Sequence, residues 1–277
     1  MISLRTLALI TSTSLAAAMP AGASAASGSE TQSAGTVSAT LSYETSTDSI
    51  TSTLTITRDG QVAFSGPIGE RQCGSDGGRF CGPVGAIGDA AGKSLTVAGL
   101  DGSGEPQVVV KLYSGGAHCC TYSTIARWTG SSYVLSSRNW GDPGFRIADL
   151  GGDGRLEFLS ADDRFAYAFA SYAASGLPLE ILRYDAGRFS DVTGQFPARV
   201  RKDAAMWWRD YRSIRGRADA RGLIAAWAAD RYRLGGRRSA LRTLRRAAAG
   251  GDLGGRRSAR RFVGTLDRRL RAWGYAR

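Results

Sequence analysis

The chain has 277 residues, 36 Lys and Arg against 24 Asp and Glu, one histidine and four cysteines, for a formal charge of +12. A hydrophobic fraction of 43% excludes a wholly disordered chain, and the lack of any internal apolar run of about 18 residues excludes a mature transmembrane helix. One histidine rules out a multi-histidine metal centre. The charge is uneven. Residues 1–198 hold 13 basic and 18 acidic side chains, net −5; residues 199–277 hold 23 and 6, net +17.

The start reads as an export signal. Arg5 leads, Leu7–Ile10 and Leu15–Met19 form a short apolar stretch, and Ala23-Ser24-Ala25 offers a small-x-small site with cleavage before Ala26. Residues 26–35, made mostly of Ala, Ser, Gly and Thr, read as a flexible leader. Period-2 alternation then begins. Val37, Ala39, Leu41 and Tyr43 alternate with small polar residues, and Asp59-Gly60 between Leu54/Ile56 and Val62/Phe64 signals a hairpin. Strands are expected near 36–44, 51–58, 61–66, 95–98, 107–113, 120–128, 133–136, 145–148, 157–160, 180–184 and 189–192. The pattern is a meander of short strands.

Two loops within this meander are alike and lie 50 residues apart, a repeat-like spacing. One runs Gly99-Leu100-Asp101-Gly102-Ser103-Gly104-Glu105-Pro106-Gln107; the other runs Asp149-Leu150-Gly151-Gly152-Asp153-Gly154-Arg155-Leu156-Glu157. Both resemble the calcium loop of FG-GAP/VCBS repeats, the blades of integrin-alpha-like β-propellers, in which spaced carboxylates precede an apolar strand. The resemblance covers about residues 95–195. It implies a calcium ion held by Asp149, Asp153, Glu157 and the main-chain carbonyl of Arg155, since calcium takes six to eight oxygens and glycine lets the chain curl around it. Gly151 stands where a third-position carboxylate belongs. In the first loop Gly99, Ser103 and Gln107 replace acids. The second loop is therefore either one weak calcium site or a tight turn, and the first is the poorer copy. The chain has room for about two blades, and two blades cannot close a ring. They must pack on each other, on the N-terminal hairpins or on the C-terminal helices.

Cys73, Cys81, Cys119 and Cys120 form an even set, which in an exported chain favours disulfides over a thiolate metal site with His118. Of the three pairings, local proximity favours Cys73–Cys81; the others staple that loop to the 119–120 pair. His118 beside Cys119 is a poor nucleophile–base couple, because neighbours on a strand point to opposite faces. Asp162 and Asp163 are candidates for half of a glycosidase carboxylate pair, with Trp208 as a sugar platform. Neither Asp has a nameable partner acid in the sequence.

After Pro197 the period changes to that of helices. Four are expected: 202–215, 220–234, 238–249 and 256–273, split by Gly235-Gly236, Gly250-Gly251 and Gly254-Gly255. Phe262, Val263, Leu266, Leu270 and Trp273 give the clearest apolar stripe. The opposite faces carry arginine, among them Arg237, Arg238, Arg242, Arg245, Arg246, Arg256, Arg257, Arg260, Arg261, Arg268, Arg269 and Arg271. That face suits an anionic envelope polymer. No named nucleic-acid motif is present.

The expectation is an α+β protein: a β-rich domain over 36–198, then a basic helical region over 199–277. Its expected role is exported, non-enzymatic binding at the envelope or outside it. The rivals are a carbohydrate hydrolase using Asp162 or Asp163, and an assembly protein pairing through an open sheet edge.

Overall fold

The computed structural model describes residues 26–74, 80–87, 93–116 and 120–276. The export segment, His118 and Cys119 lie outside them. The fold is α+β: antiparallel sheets come first and four long helices follow.

The first sheet is a meander of β1 (Ala26–Ala34), β2 (Val37–Thr45), β3 (Ile50–Arg58) and β4 (Gln61–Pro67). The segment expected as a flexible leader is thus its edge strand, paired with β2 over nine positions from Ala26–Thr45 to Ala34–Val37. Composition misled here, because a strand with little apolar surface is held by its backbone and by one acid. The Glu30 carboxylate accepts the backbone N–H groups of Ser94 (3.0 Å) and Leu95 (3.2 Å), tying β1 to the next sheet. Gly28 sits opposite Tyr43, where a Cβ would come within 2.3 Å of the tyrosine ring.

Helix α1 (Glu70–Cys73) and the short strand β5 (Gly82–Pro83) follow, joined by the Cys73–Cys81 disulfide with a Cα–Cα distance of 6.3 Å. The second sheet comprises β5, β6 (Leu95–Ala98), β7 (Gln107–Tyr113), β8 (Thr121–Trp128) and β9 (Tyr133–Asn139); β5 and β6 share one side of β7. The third sheet is again a four-strand meander: β10 (Arg146–Ala148), β11 (Glu157–Ala161), β12 (Leu179–Asp185) and β13 (Arg188–Asp191).

The middle sheet is covered on both faces. Val108, Val110 and Leu112 of β7 pack against Val37, Leu41, Leu54 and Ile56 of the first sheet. Val109 and Ile125 point the other way, into Trp140, Phe158, Leu182 and Tyr184 beside the third sheet. Trp140 stacks on Phe158 with ring centres 5.4 Å apart, and Phe189 meets Phe158 edge-on at 5.1 Å. The Trp140 Nε1–H donates to Ser123 Oγ at 2.8 Å, so the one polar atom of that ring is satisfied inside the core.

The helices are α2 (Pro197–Ile214), α3 (Arg221–Arg233), α4 (Arg237–Ala249) and α5 (Arg256–Ala272). They share a core with Phe165 and, at its margin, Phe169 and Leu177, all from the β11–β12 connection. Polar bonds fix the joint to the third sheet. The Tyr275 hydroxyl donates to Asp162 (2.7 Å), Arg233 pairs with Asp191 (2.9 Å), and the Leu179 N–H donates to Asp203 (2.9 Å).

Asp203 also accepts the Trp207 indole N–H (3.0 Å), and beside it Asp230 of α3 is fully buried. Among the described residues neither Asp230 oxygen has a hydrogen-bond partner. Burial, followed by the Asp203 charge, pushes the Asp230 carboxyl up to about 10. The folded chain therefore holds this proton more tightly than the unfolded chain. The stabilisation is complete below about pH 4, the ordinary aspartate range, and is lost as pH rises towards 10. Asp230→Asn should melt above the wild type at pH 8, and the two melting curves should converge near pH 4. Thermal scans at both pH values test this; a destabilised Asp230→Asn at pH 8 would refute the neutral assignment.

Candidate functional site

The two similar loops connect β6 to β7 and β10 to β11, and they match in geometry. Ala98 pairs with Gln107, and Ala148 pairs with Glu157. Gly102 and Gly104 take φ of +70° and +80°; Gly152 and Gly154 take +72° and +80°, a conformation that favours glycine. Each loop is closed by the first side chain of the following strand. Gln107 Oε1 accepts the Leu100 N–H (2.6 Å), and Glu157 Oε2 accepts the Leu150 N–H (3.0 Å).

The acids expected around calcium each have hydrogen-bond partners within the chain. Asp149 accepts the N–H groups of Gly152 (2.6 Å), Asp153 (3.2 Å) and Gly154 (2.9 Å). The Gly154 N–H, the strongest of these influences, holds its carboxyl below the usual range. Asp153 accepts the Arg155 N–H (3.1 Å). Glu157 is fully buried, and the Arg183 guanidinium bonds its other oxygen through Nε (3.1 Å) and Nη2. Among the described residues no group of three or more Asp, Glu, Cys or His is placed to hold a metal ion. Backbone N–H groups and Arg183 supply positive partners to these carboxylates.

Asp162 and Asp163 do converge with other acids. They line a cleft of about 570 Å³ with Glu180 of β12, Asp191 of β13, Arg138 of β9, Trp140 and Trp273. Asp162 is buried and accepts from Arg164 Nε (2.8 Å), Arg164 Nη2 (2.6 Å) and the Tyr275 hydroxyl. Arg138 lies 3.5 Å from Glu180 and stacks over Trp140 and Phe189. Asp163 pairs with no arginine among the described residues. It lies against Gly141, whose φ is +64° and whose position leaves no room for a side chain: a Cβ would come within 2.1 Å of the Asp163 carboxyl carbon. Burial, with the nearby charges of Asp142 and Asp162, raises the Asp163 carboxyl; burial and Asp162 raise Glu180. The cleft thus combines two carboxyls biased towards the neutral form with two clamped by arginine or tyrosine.

Trp208 is not part of it. Its half-buried ring packs 4.8 Å from Trp227 and 5.2 Å from Tyr211 at the margin of the helical core. The cleft aromatics are Trp140, Phe189 and Trp273 instead. No periodicity marks Trp140, Arg138 or Glu180 as neighbours of Asp162; three different strand ends bring them together.

The arginine face has a definite layout. Arg237 grips Asp267 with two bonds of 2.9 Å, and Arg271 joins the same carboxylate at 3.4 Å. Arg269 stacks over Phe169 and Trp273 and donates to the Ala168 carbonyl at 2.8 Å. Exposed Arg238, Arg242, Arg245, Arg246, Arg256, Arg257, Arg260 and Arg261 have no side-chain partner among the described residues. Between α4 and α5 lies a groove of about 550 Å³, lined by Arg237, Leu241, Arg245, Ala248, Ala249, Arg256, Arg260, Val263, Gly264 and Asp267.

No family model matches the chain, and no solved structure matches it. It is similar to an uncharacterized protein of Sinorhizobium fredii, 32% identical over 156 residues that make up 54% of this chain and 24% of that one. It is also similar to a probable thylakoid lumen protein of Synechocystis, 31% identical over 136 residues, 47% of this chain and 40% of that one. The matches therefore span less than half the length of either relative.

The loop symmetry yields a test. Where the first loop uses a neutral glutamine, the second uses a buried ion pair. Arg183→Leu alone leaves the Glu157 charge uncompensated and should cost about 3–5 kcal/mol. Glu157→Gln added to it rebuilds the arrangement of the first loop and should recover at least half of that loss. Urea unfolding of Arg183→Leu, Glu157→Gln and the double variant measures the coupling; strictly additive losses would refute it.

Proposed function

We propose that the chain is an extracytoplasmic binding protein that works without turnover and holds anionic envelope material on the α4–α5 face. The two blade-like sheets, with their likeness to FG-GAP/VCBS repeats, form the scaffold in this reading. The observation that carries it is the set of unpartnered arginines. Arg238/Arg242, Arg242/Arg246, Arg256/Arg260 and Arg257/Arg261 are like-charge neighbours at i and i+4 with no carboxylate to relieve them. Each such pair costs its helix about 0.2–0.5 kcal/mol. A face that weakens its own helices is explained by a polyanion outside the molecule. Placement outside the cytoplasm is supported by the Cys73–Cys81 disulfide, by the name of the thylakoid lumen relative, and by the signal-like start with cleavage before Ala26.

Inorganic polyphosphate is a suitable probe. Binding should weaken by about tenfold or more between roughly 50 and 200 mM salt, as counterion release requires. Replacing Arg256, Arg257, Arg260 and Arg261 by glutamine should abolish it while raising the melting temperature at low salt. Binding that ignores both salt and these substitutions would overturn the reading.

A second reading, an envelope carbohydrate hydrolase, is favoured by one observation: Asp163 and Glu180 share a cleft and are both held towards the protonated form, as a general acid requires. Asp162, tied to Arg164 and Tyr275, serves in it only as a fixed charge. Release of reducing ends from cell-wall polysaccharide, lost in Asp163→Asn, would establish that activity; no release by the wild type would end it.

A further inference from the structure

We infer that the α4–α5 groove takes one alkyl chain of a single-chain anionic amphiphile, its phosphate or carboxylate head held among Arg245, Arg256 and Arg260. This rests on reading the basic face as a ligand-gripping surface, and it names the ligand class for that face. A bare polyanion would satisfy the arginines but not the groove they border. The groove's floor is apolar, formed by Leu241, Ala248 and Val263, and its volume of about 550 Å³ falls within the range of small-molecule sites, roughly 300–1,000 Å³. Charge sets the polarity of the occupant. The Arg237–Asp267 ion pair, joined by Arg271, lines one part of the groove with its arginines already engaged. The three arginines without partners are left to receive the head.

Gly264 supplies the independent observation. It lies inside α5, where glycine weakens a helix. Backbone conformation does not require it, because its φ is not positive. Nor does packing: a Cβ there would meet only the end of the Arg268 side chain, at 3.7 Å. What glycine does at this position is keep the groove open. Ala248 and Ala249 do the same from α4. A slot walled by such small residues admits a methylene chain, whereas the bulky side chains of a partner helix would need wider pockets.

Titration calorimetry on the full mature chain tests the inference, with dodecyl phosphate as the probe below its micelle concentration. Glycerol phosphate serves as head without chain, dodecyl maltoside as chain with a neutral head, and phosphatidylglycerol vesicles as the bilayer source. Dodecyl phosphate should bind one to one, at least tenfold more tightly than either control. Gly264→Leu, which fills the slot, should lose at least tenfold while keeping its circular dichroism and its polyphosphate binding. Ala249→Phe fills the other wall from an exposed position, should the first variant be unstable. Equal affinity for dodecyl phosphate and glycerol phosphate would overturn the inference, as would vesicle binding that both filled variants retain. In either case polyphosphate binding would still support the broader reading. Loss of all anion binding in the wild type would remove both.

Discussion

Strand β7 has no wet face, and the architecture follows from that. Its run Gln107-Val108-Val109-Val110 is buried from end to end, so apolar residues point both up and down and each side needs a cover. The first sheet supplies one cover and the third sheet the other. A protein with only one of these layers would leave a valine row in water. The helices in turn complete the third sheet's margin, where Phe165 and Phe169 join their core.

The two loops show how a turn can keep its shape with different chemistry. Both need a hydrogen-bond acceptor beneath the leucine N–H at the loop entrance. An amide does this in one case without charge. In the other a carboxylate does it, and Arg183 must then be buried with it. Spaced acids in a glycine loop are the sequence pattern of a cation site, and here the N–H groups of Gly152, Asp153 and Gly154 donate to the first of them, Asp149.

Much of the β and α layout was legible in the residues. Alternation located β2 and β3, and Asp59-Gly60 located the β3–β4 turn; the arginine-free stripe of Phe262, Leu266 and Leu270 located α5. Strand β1 was not legible. Ser, Thr and Gly there have no apolar period, and the strand owes its place to β2 and to Glu30 reaching residues 94–95, a contact 64 positions away. The cleft was half legible. Asp162-Asp163 is conspicuous, but Glu180, Arg138 and Trp273 become its neighbours only through strand order and the return of the last helix. Trp208 misleads for the opposite reason: an aromatic pair on a helix has no mark that tells a core ring from a binding ring until the facing helix, with Trp227, is in place.

The bond between Tyr275 and Asp162 reaches across 113 positions. Phenylalanine at 275 would keep the ring in its core and leave the buried Asp162 carboxylate with the Arg164 guanidinium as its remaining side-chain donor, so the seam between the third sheet and the helices would loosen at a point far from either partner in sequence.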